Sequence, residues 1–128
     1  MATLHELGHA LGLKHAHEST LFGAIPFARD SSEFTVMTYR SFVGASTTGG
    51  PANETFGFPQ TYMMYDIAAL QAMYGADYAT NGGATIYQWS PDGGEMYVNG
   101  VGQGAPGANR VFLTIWDGGG QDTYDFGN

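Results

Sequence analysis

Apolar positions recur at helical spacing in two stretches of the chain. Over residues 2–12, Leu4, Leu7 and Leu11 form one stripe, with Leu4 and Leu11 two turns apart, and the pattern predicts an amphipathic helix. Over 61–74, Met63, Ile67, Leu70 and Tyr74 share a face, and Pro59 before them and Gly75 after them suit the start and end of a second helix. The Met and Tyr content of that helix reads as core filling. Asp66 lies near its start, where a carboxylate suits the helix dipole, and reads as structural. Residues 14–33 read as a loop interrupted by Gly23 and Pro26, and 41–58 as a long surface loop rich in Ser, Thr, Gly, Pro and Asn. Between them, FTVMTYR at 34–40 is β-branched and aromatic, yet short for a strand. After Gly75 the texture changes. Short β-rich runs at 84–89, 94–99, 111–116 and 122–126 are separated by Gly clusters and predict a small β-structure.

Composition narrows the partners. The 128 residues make one domain or part of one, and 43% hydrophobic residues supply a core. Acidic residues number 12 against 4 basic, and the net charge of −8 argues against a nucleic-acid partner, which needs clustered Lys and Arg. No segment has the length of a membrane span and no signal peptide is visible. Cysteine is absent, so a secreted chain would need other staples, of which metals are the usual kind.

The stretch HELGHALGLKH, from His5 to His15, carries the chemistry. His5 and His9 stand at i and i+4, one turn apart on one helix face. Glu6 follows the first histidine directly, where a general base can lean over a metal without binding it. On a continuous helix His15 would sit about 9 Å beyond His9 and roughly 240° around the axis, too far to share an ion. The helix must therefore break, and Gly12 can break it by taking the left-handed conformation at a helix end. His15 can then swing back as a third ligand. Three imidazoles with an open fourth position define a catalytic zinc site, with Glu6 as the base that moves the water proton. Two rivals for the third ligand stay open: His17, two residues on, and Glu33, since a downstream glutamate completes the site in thermolysin-like enzymes.

The pattern H-E-x-x-H-x-x-G-x-x-H resembles that of the metzincin zinc endopeptidases. Together with TVMTY at 35–39, DIAALQAMYG at 66–75 and WDGGGQDTYDF at 116–126, in that order, it resembles the serralysin-type metzincins, which are secreted bacterial proteases. The resemblance implies an α+β fold: a metzincin C-terminal subdomain over 1–79, with active-site helix, Met-turn and third helix, then short strands over 80–128 leading into a parallel β-roll. It implies zinc on His5, His9 and His15, with Met37 as the apolar floor and Tyr39 beside the metal, moving to the oxyanion during peptide hydrolysis. It further implies calcium held by oxygens of Asn81, Gly83, Thr85, Asp117, Gly119 and Asp122. A secreted, extracellular monomer acting on polypeptides follows from the same likeness.

Departures from the family pattern are also visible. Ala16 stands where serralysins usually carry Pro, and Asn81 where they often carry Arg. No N-terminal subdomain with a substrate-pairing strand precedes His5, and neither the nonapeptide repeats nor the C-terminal export signal follows Asp125. The chain therefore reads as a fragment, or as a gene product begun at an internal Met, with a minimal metal domain as the competing view. Two other functions remain: a non-enzymatic calcium-binding secreted module with a relict zinc site, against which the intact Glu6 argues, and a folded zinc binder without activity because its substrate wall is missing.

Overall fold

The computed structural model describes residues 2–127. The fold is α+β, with two α-helices and one four-stranded sheet among the described residues. The chain divides into two compact units, one comprising the chain up to Gly75 with Phe112–Thr114, the other Ala76–Val111 with the chain from Ile115 on. No helix among the described residues is long and apolar enough to cross a membrane.

In the first unit, helix α1 spans Ala2–Ala10 and helix α2 spans Met64–Tyr74. Helix α1 ends two residues before the position the apolar spacing predicts, and its end has a plain cause. Leu13 N–H donates to Gly8 O at 2.9 Å and Gly12 N–H donates to His9 O at 3.0 Å, while Gly12 takes φ +95°. This pair of bonds around a left-handed glycine is the Schellman termination.

The expected Leu4–Leu7–Leu11 stripe does not face the core as a unit. Leu4 packs against it, but Leu7 is 47% exposed, and the buried residues of α1 are His5 and Gly8. The face that approaches the core is the one with no side chain at Gly8, because a Cβ there would stand 2.5 Å from Met37 Sδ.

Helix α2 starts later than the predicted residue 61, since Gln60 and Thr61 are engaged elsewhere. Gln60 N–H donates to Phe112 O at 2.9 Å, and Thr61 Oγ1 both donates to Thr114 O and accepts from Thr114 N. The run 111–116 is thus not a sheet strand. Its middle, 112–114, lies along the approach to α2. Segment 34–40 is a succession of turns rather than a strand.

Two buried carboxylates organise that turn segment. Asp66, at the third position of α2 and 2% exposed, accepts from Thr35 Oγ1 at 2.5 Å, Val36 N at 2.8 Å and Met63 N at 2.9 Å. Asp30, 3% exposed, accepts from Thr38 Oγ1 and from Arg40 Nε at 2.9 Å. Between them lie Val36 and Met37, which with Met63 form the core cluster, ringed by Leu4, Leu13, Tyr62 and Phe112.

In the second unit the sheet order is β3-β2-β1-β4, with β1 Ile86–Trp89, β2 Met96–Val98, β3 Val101–Gly102 and β4 Thr123–Asp125. β1 pairs antiparallel with β2, β2 antiparallel with β3, and β1 parallel with β4. Three of the four predicted β-rich runs therefore carry strands, each shorter than its run, and β3 was not anticipated. Two residues of β-structure next to the Asn99–Gly100 turn leave too short a pattern to read.

Burial raises the Asp66 carboxyl above its ordinary value of 3.8, against the pull of the bonds from Thr35, Val36 and Met63. A raised acid holds its proton longer folded than unfolded, so its contribution to stability is full below 3.8 and is lost as pH rises through the raised value. Two outcomes are expected from urea unfolding. Asp66→Ala strands two buried N–H donors and costs about 2–5 kcal/mol, whereas Asp66→Asn retains an acceptor oxygen and costs less than half as much. Asp66→Asn also loses less stability than the wild type as pH rises through that window.

Candidate metal centre

Helix α1 presents His5 and His9 on its buried side, one turn apart, with ring centroids 4.8 Å apart and planes at 90°. The Schellman turn at Gly12 then reverses the chain. His15 returns so that its ring centre lies 4.6 Å from that of His9 and 5.2 Å from that of His5. One ligand nitrogen from each histidine lies within 4.8 Å of the other two. The reversal is pinned by Ala16 N, which donates to Met37 O at 3.1 Å, and by Ile25 N, which donates to Ala16 O at 3.0 Å.

All three rings are oriented through Nδ1. His5 Nδ1 meets Val36 O at 2.8 Å, His9 Nδ1 meets Leu13 O at 2.8 Å, and His15 Nδ1 meets Glu18 Oε1 at 2.8 Å. Each of these oxygens can only accept, so each Nδ1 carries the proton, and a neutral ring then has a bare lone pair on Nε2. His9 Nε2 and His15 Nε2 stand 3.1 Å apart. A cation between these two nitrogens would be ligated by both. Tetrahedral zinc with nitrogen ligands at about 2.0–2.1 Å sets them about 3.3 Å apart. The His9–His15 spacing therefore suits a zinc-sized ion, and the three ligand atoms lie within 4.8 Å of one another.

Around this cluster the other candidates take up distinct places. Tyr39 Oη lies 2.9 Å from His15 Nε2. Glu6 is exposed and lines a cavity of about 420 Å³ with Ala2, His5, Thr38, Tyr39, Pro51 and Phe58. Met37, 2% exposed, packs against Gly8 between the two helical histidines. Of the rival ligands, Glu33 is exposed and outside the cluster. His17 stacks on His15 at 5.5 Å and 15° but is not among the three grouped nitrogens.

Three contributors were not singled out from the sequence. Glu18 follows His15 at i+3, a legible spacing for an ion pair, and its bond from His15 holds the Glu18 carboxyl below the usual range. Lys14 donates from Nζ to Glu18 O and, at 2.7 Å, to Gly23 O. Gly8 leaves no mark in the sequence beyond being a glycine inside a helix, which itself signals close approach.

In the second unit, the residues considered for calcium are linked by hydrogen bonds. Thr85 Oγ1 lies 3.1 Å from both Asn81 O and Gly83 O, and Thr85 N donates to Asp122 Oδ1 at 3.0 Å. Asp117 accepts from Tyr87 Oη at 2.6 Å and from Gly119 N at 2.8 Å, and Asn81 Nδ2 donates to Tyr87 Oη at 3.2 Å. Burial, and then the bond to Asp117, push the Tyr87 hydroxyl up to about 12. Gly120 passes so close to Gly83 that an added Cβ would stand 2.2 Å from its carbonyl oxygen. Asn81 O and Gly83 O thus lie at the Thr85 hydroxyl, and Asp122 Oδ1 at the Thr85 backbone N–H.

Comparison with known proteins gives a consistent set of relatives. The chain is 33% identical over 130 residues to metalloprotease AprA of Pseudomonas entomophila, covering 95% of this chain and 25% of the relative. It is 33% identical over 128 residues to serralysin C of Dickeya chrysanthemi, again 95% and 25%. It is 31% identical over 134 residues to serralysin of Proteus mirabilis, covering 98% and 25%. The chain spans about a quarter of the length of these curated relatives. No protein-family model matches it.

The packing of Gly8 on Met37 generates a test with a diagnostic sign. On an unpacked helix face, Gly→Ala stabilises by up to about 1 kcal/mol. Here Gly8→Ala drives a Cβ into a buried thioether and is expected to destabilise by about 1–3 kcal/mol, read from the urea midpoint. Stabilisation instead would mean that Met37 does not support α1.

Proposed function

From the premise that the chain is serralysin-like over nearly its whole length, we propose that it carries the zinc site of a metzincin-type endopeptidase. The observation that supports this best is three grouped histidines each with Nδ1 on an acceptor, two of them with Nε2 atoms 3.1 Å apart. His5, His9 and His15 would hold the metal, their Nδ1 atoms being engaged by Val36, Leu13 and Glu18. A zinc ion on three neutral imidazoles supplies Lewis acidity and brings the pKa of water towards neutrality.

The remaining chemistry belongs to the chain's own side chains. Glu6 lines the cavity beside His5 and is the general base: it takes the proton from the attacking water and delivers it to the leaving amine. Tyr39 lines the same cavity, and its hydroxyl donates to the developing oxyanion. Met37 and Gly12 are structural, the first as a buried floor under α1 and the second as the turn that returns His15. The substrate is a polypeptide, cleaved without a covalent enzyme intermediate, and the place of action is extracellular.

In this reading residues 1–79 are the C-terminal part of a zincin catalytic domain, and 80–128 open a calcium-binding β-roll. Calcium is held by Asn81, Gly83, Thr85, Asp117, Gly119 and Asp122, a reading supported by the hydrogen bonds that bring Asn81, Gly83 and Asp122 oxygens to Thr85. The parallel pairing of β4 on β1 is the arrangement from which further parallel strands could be added.

Metal analysis tests the proposal directly. The purified chain is expected to bind one zinc per molecule, and His9→Ala to abolish that stoichiometry. Glu6→Gln should keep the zinc while peptide hydrolysis falls by about 10²–10⁴-fold. Hydrolysis undiminished by Glu6→Gln would sink the assignment of the base.

A further inference from the structure

His5 and His9 are set by a helix, whereas His15 lies beyond the Schellman turn and has no helical backbone to aim it. Its ring is flanked by Tyr39, with centroids 4.7 Å apart, and by His17 at 5.5 Å. Flanking rings limit tilt but do not prevent a half-turn about Cβ–Cγ, which would exchange Nδ1 with a carbon and carry Nε2 away from the cluster. An acceptor placed at Nδ1 is what distinguishes the two half-turns. For His5 and His9 that acceptor is a backbone carbonyl already fixed by the fold, at Val36 and Leu13. For His15 it is the side chain of Glu18.

We infer that Glu18 is a positioning residue for the metal centre, its carboxylate accepting His15 Nδ1–H and thereby aiming His15 Nε2 at the ion. This rests on the zinc reading given above. The local backbone is arranged for the task. Glu18 N–H donates to His15 O at 3.2 Å, closing a turn that sets the two side chains on one side. Lys14 then secures that turn from outside, donating to the carbonyls of Glu18 and Gly23. The acceptor at His15 also differs in kind from the other two. A carboxylate opposite the metal-binding nitrogen makes the ring a stronger donor as well as an oriented one, and loss of such a partner typically weakens metal binding by about 10–100-fold.

The test compares Glu18→Ala, Glu18→Gln and, as a control for lost charge, Glu33→Ala, an exposed acid outside the cluster. Zinc dissociation constants are measured by chelator competition, and the visible spectrum of the cobalt-substituted chain reports ligand geometry. Urea midpoints of the metal-free proteins check that each variant folds. Glu18→Ala is expected to weaken zinc by about 10–100-fold and alter the cobalt spectrum. Glu18→Gln, whose amide oxygen still accepts from Nδ1–H, should recover most of the affinity and the wild-type spectrum. Glu33→Ala should match the wild type. Zinc binding by Glu18→Ala within about twofold of wild type, or an equal loss in the Ala and Gln variants, overturns the positioning role while leaving the zinc site itself standing. A wild-type chain that takes up no zinc overturns both.

Discussion

The hydrogen bonds around Val36 join the scaffold to the candidate metal centre. Its N–H donates to the buried carboxylate of Asp66, and its carbonyl accepts from His5 Nδ1. One peptide unit on each side of this residue therefore links the start of α2 to the first imidazole of the candidate site. Asp66 is desolvated to do this, which is costly for a carboxylate, and three donors offset the cost. If the Asp66 bonds were lost, Val36 would be free to shift, and the acceptor that fixes the His5 tautomer would shift with it. The position of the helix and the protonation pattern of the ligand thus depend on the same buried group.

Much of the candidate site was legible because metal ligation imposes strict spacing. The i, i+4 pair at His5 and His9 needs only helix periodicity, and Gly12 is interpretable because only a helix end makes a third ligand at His15 useful. The turn bonds at Gly12 are the physical form of that inference. What the sequence obscured are roles assigned by distant partners. Asp66 looks like a helix-dipole residue until Thr35 and Val36, thirty positions away, are seen to use it. The Leu4–Leu7–Leu11 stripe is a sound amphipathic pattern, yet the helix turns its glycine towards the core, because close approach to Met37 outweighs burying Leu7. Segment 34–40 has strand-like composition, but its polar groups go to Asp30 and Asp66 rather than to a ladder. Strand lengths in the second unit were overestimated for a related reason, since Gly clusters set where a strand must end but not where pairing begins.

Both units rely on polar centres to an unusual degree for their size. Among the described residues the buried hydrophobic ones are Ala16, Val36, Met37, Met63 and Tyr87, against eight buried polar or charged ones. A core this small leaves many relative positions of loop and helix nearly equivalent, since apolar contact is not directional. Hydrogen bonds to buried carboxylates are directional, and an unmade one is expensive, so they select a single arrangement where the apolar contacts would not. Asp30 and Asp66 do this on either side of Met37. The half-buried Asp117 and Asp122 make comparable bonds to Tyr87 and Thr85. The metal centre extends the same logic. At the candidate site two of the three imidazoles are held by Nδ1 bonds to backbone carbonyls, of Val36 and Leu13, and the third by the carboxylate of Glu18.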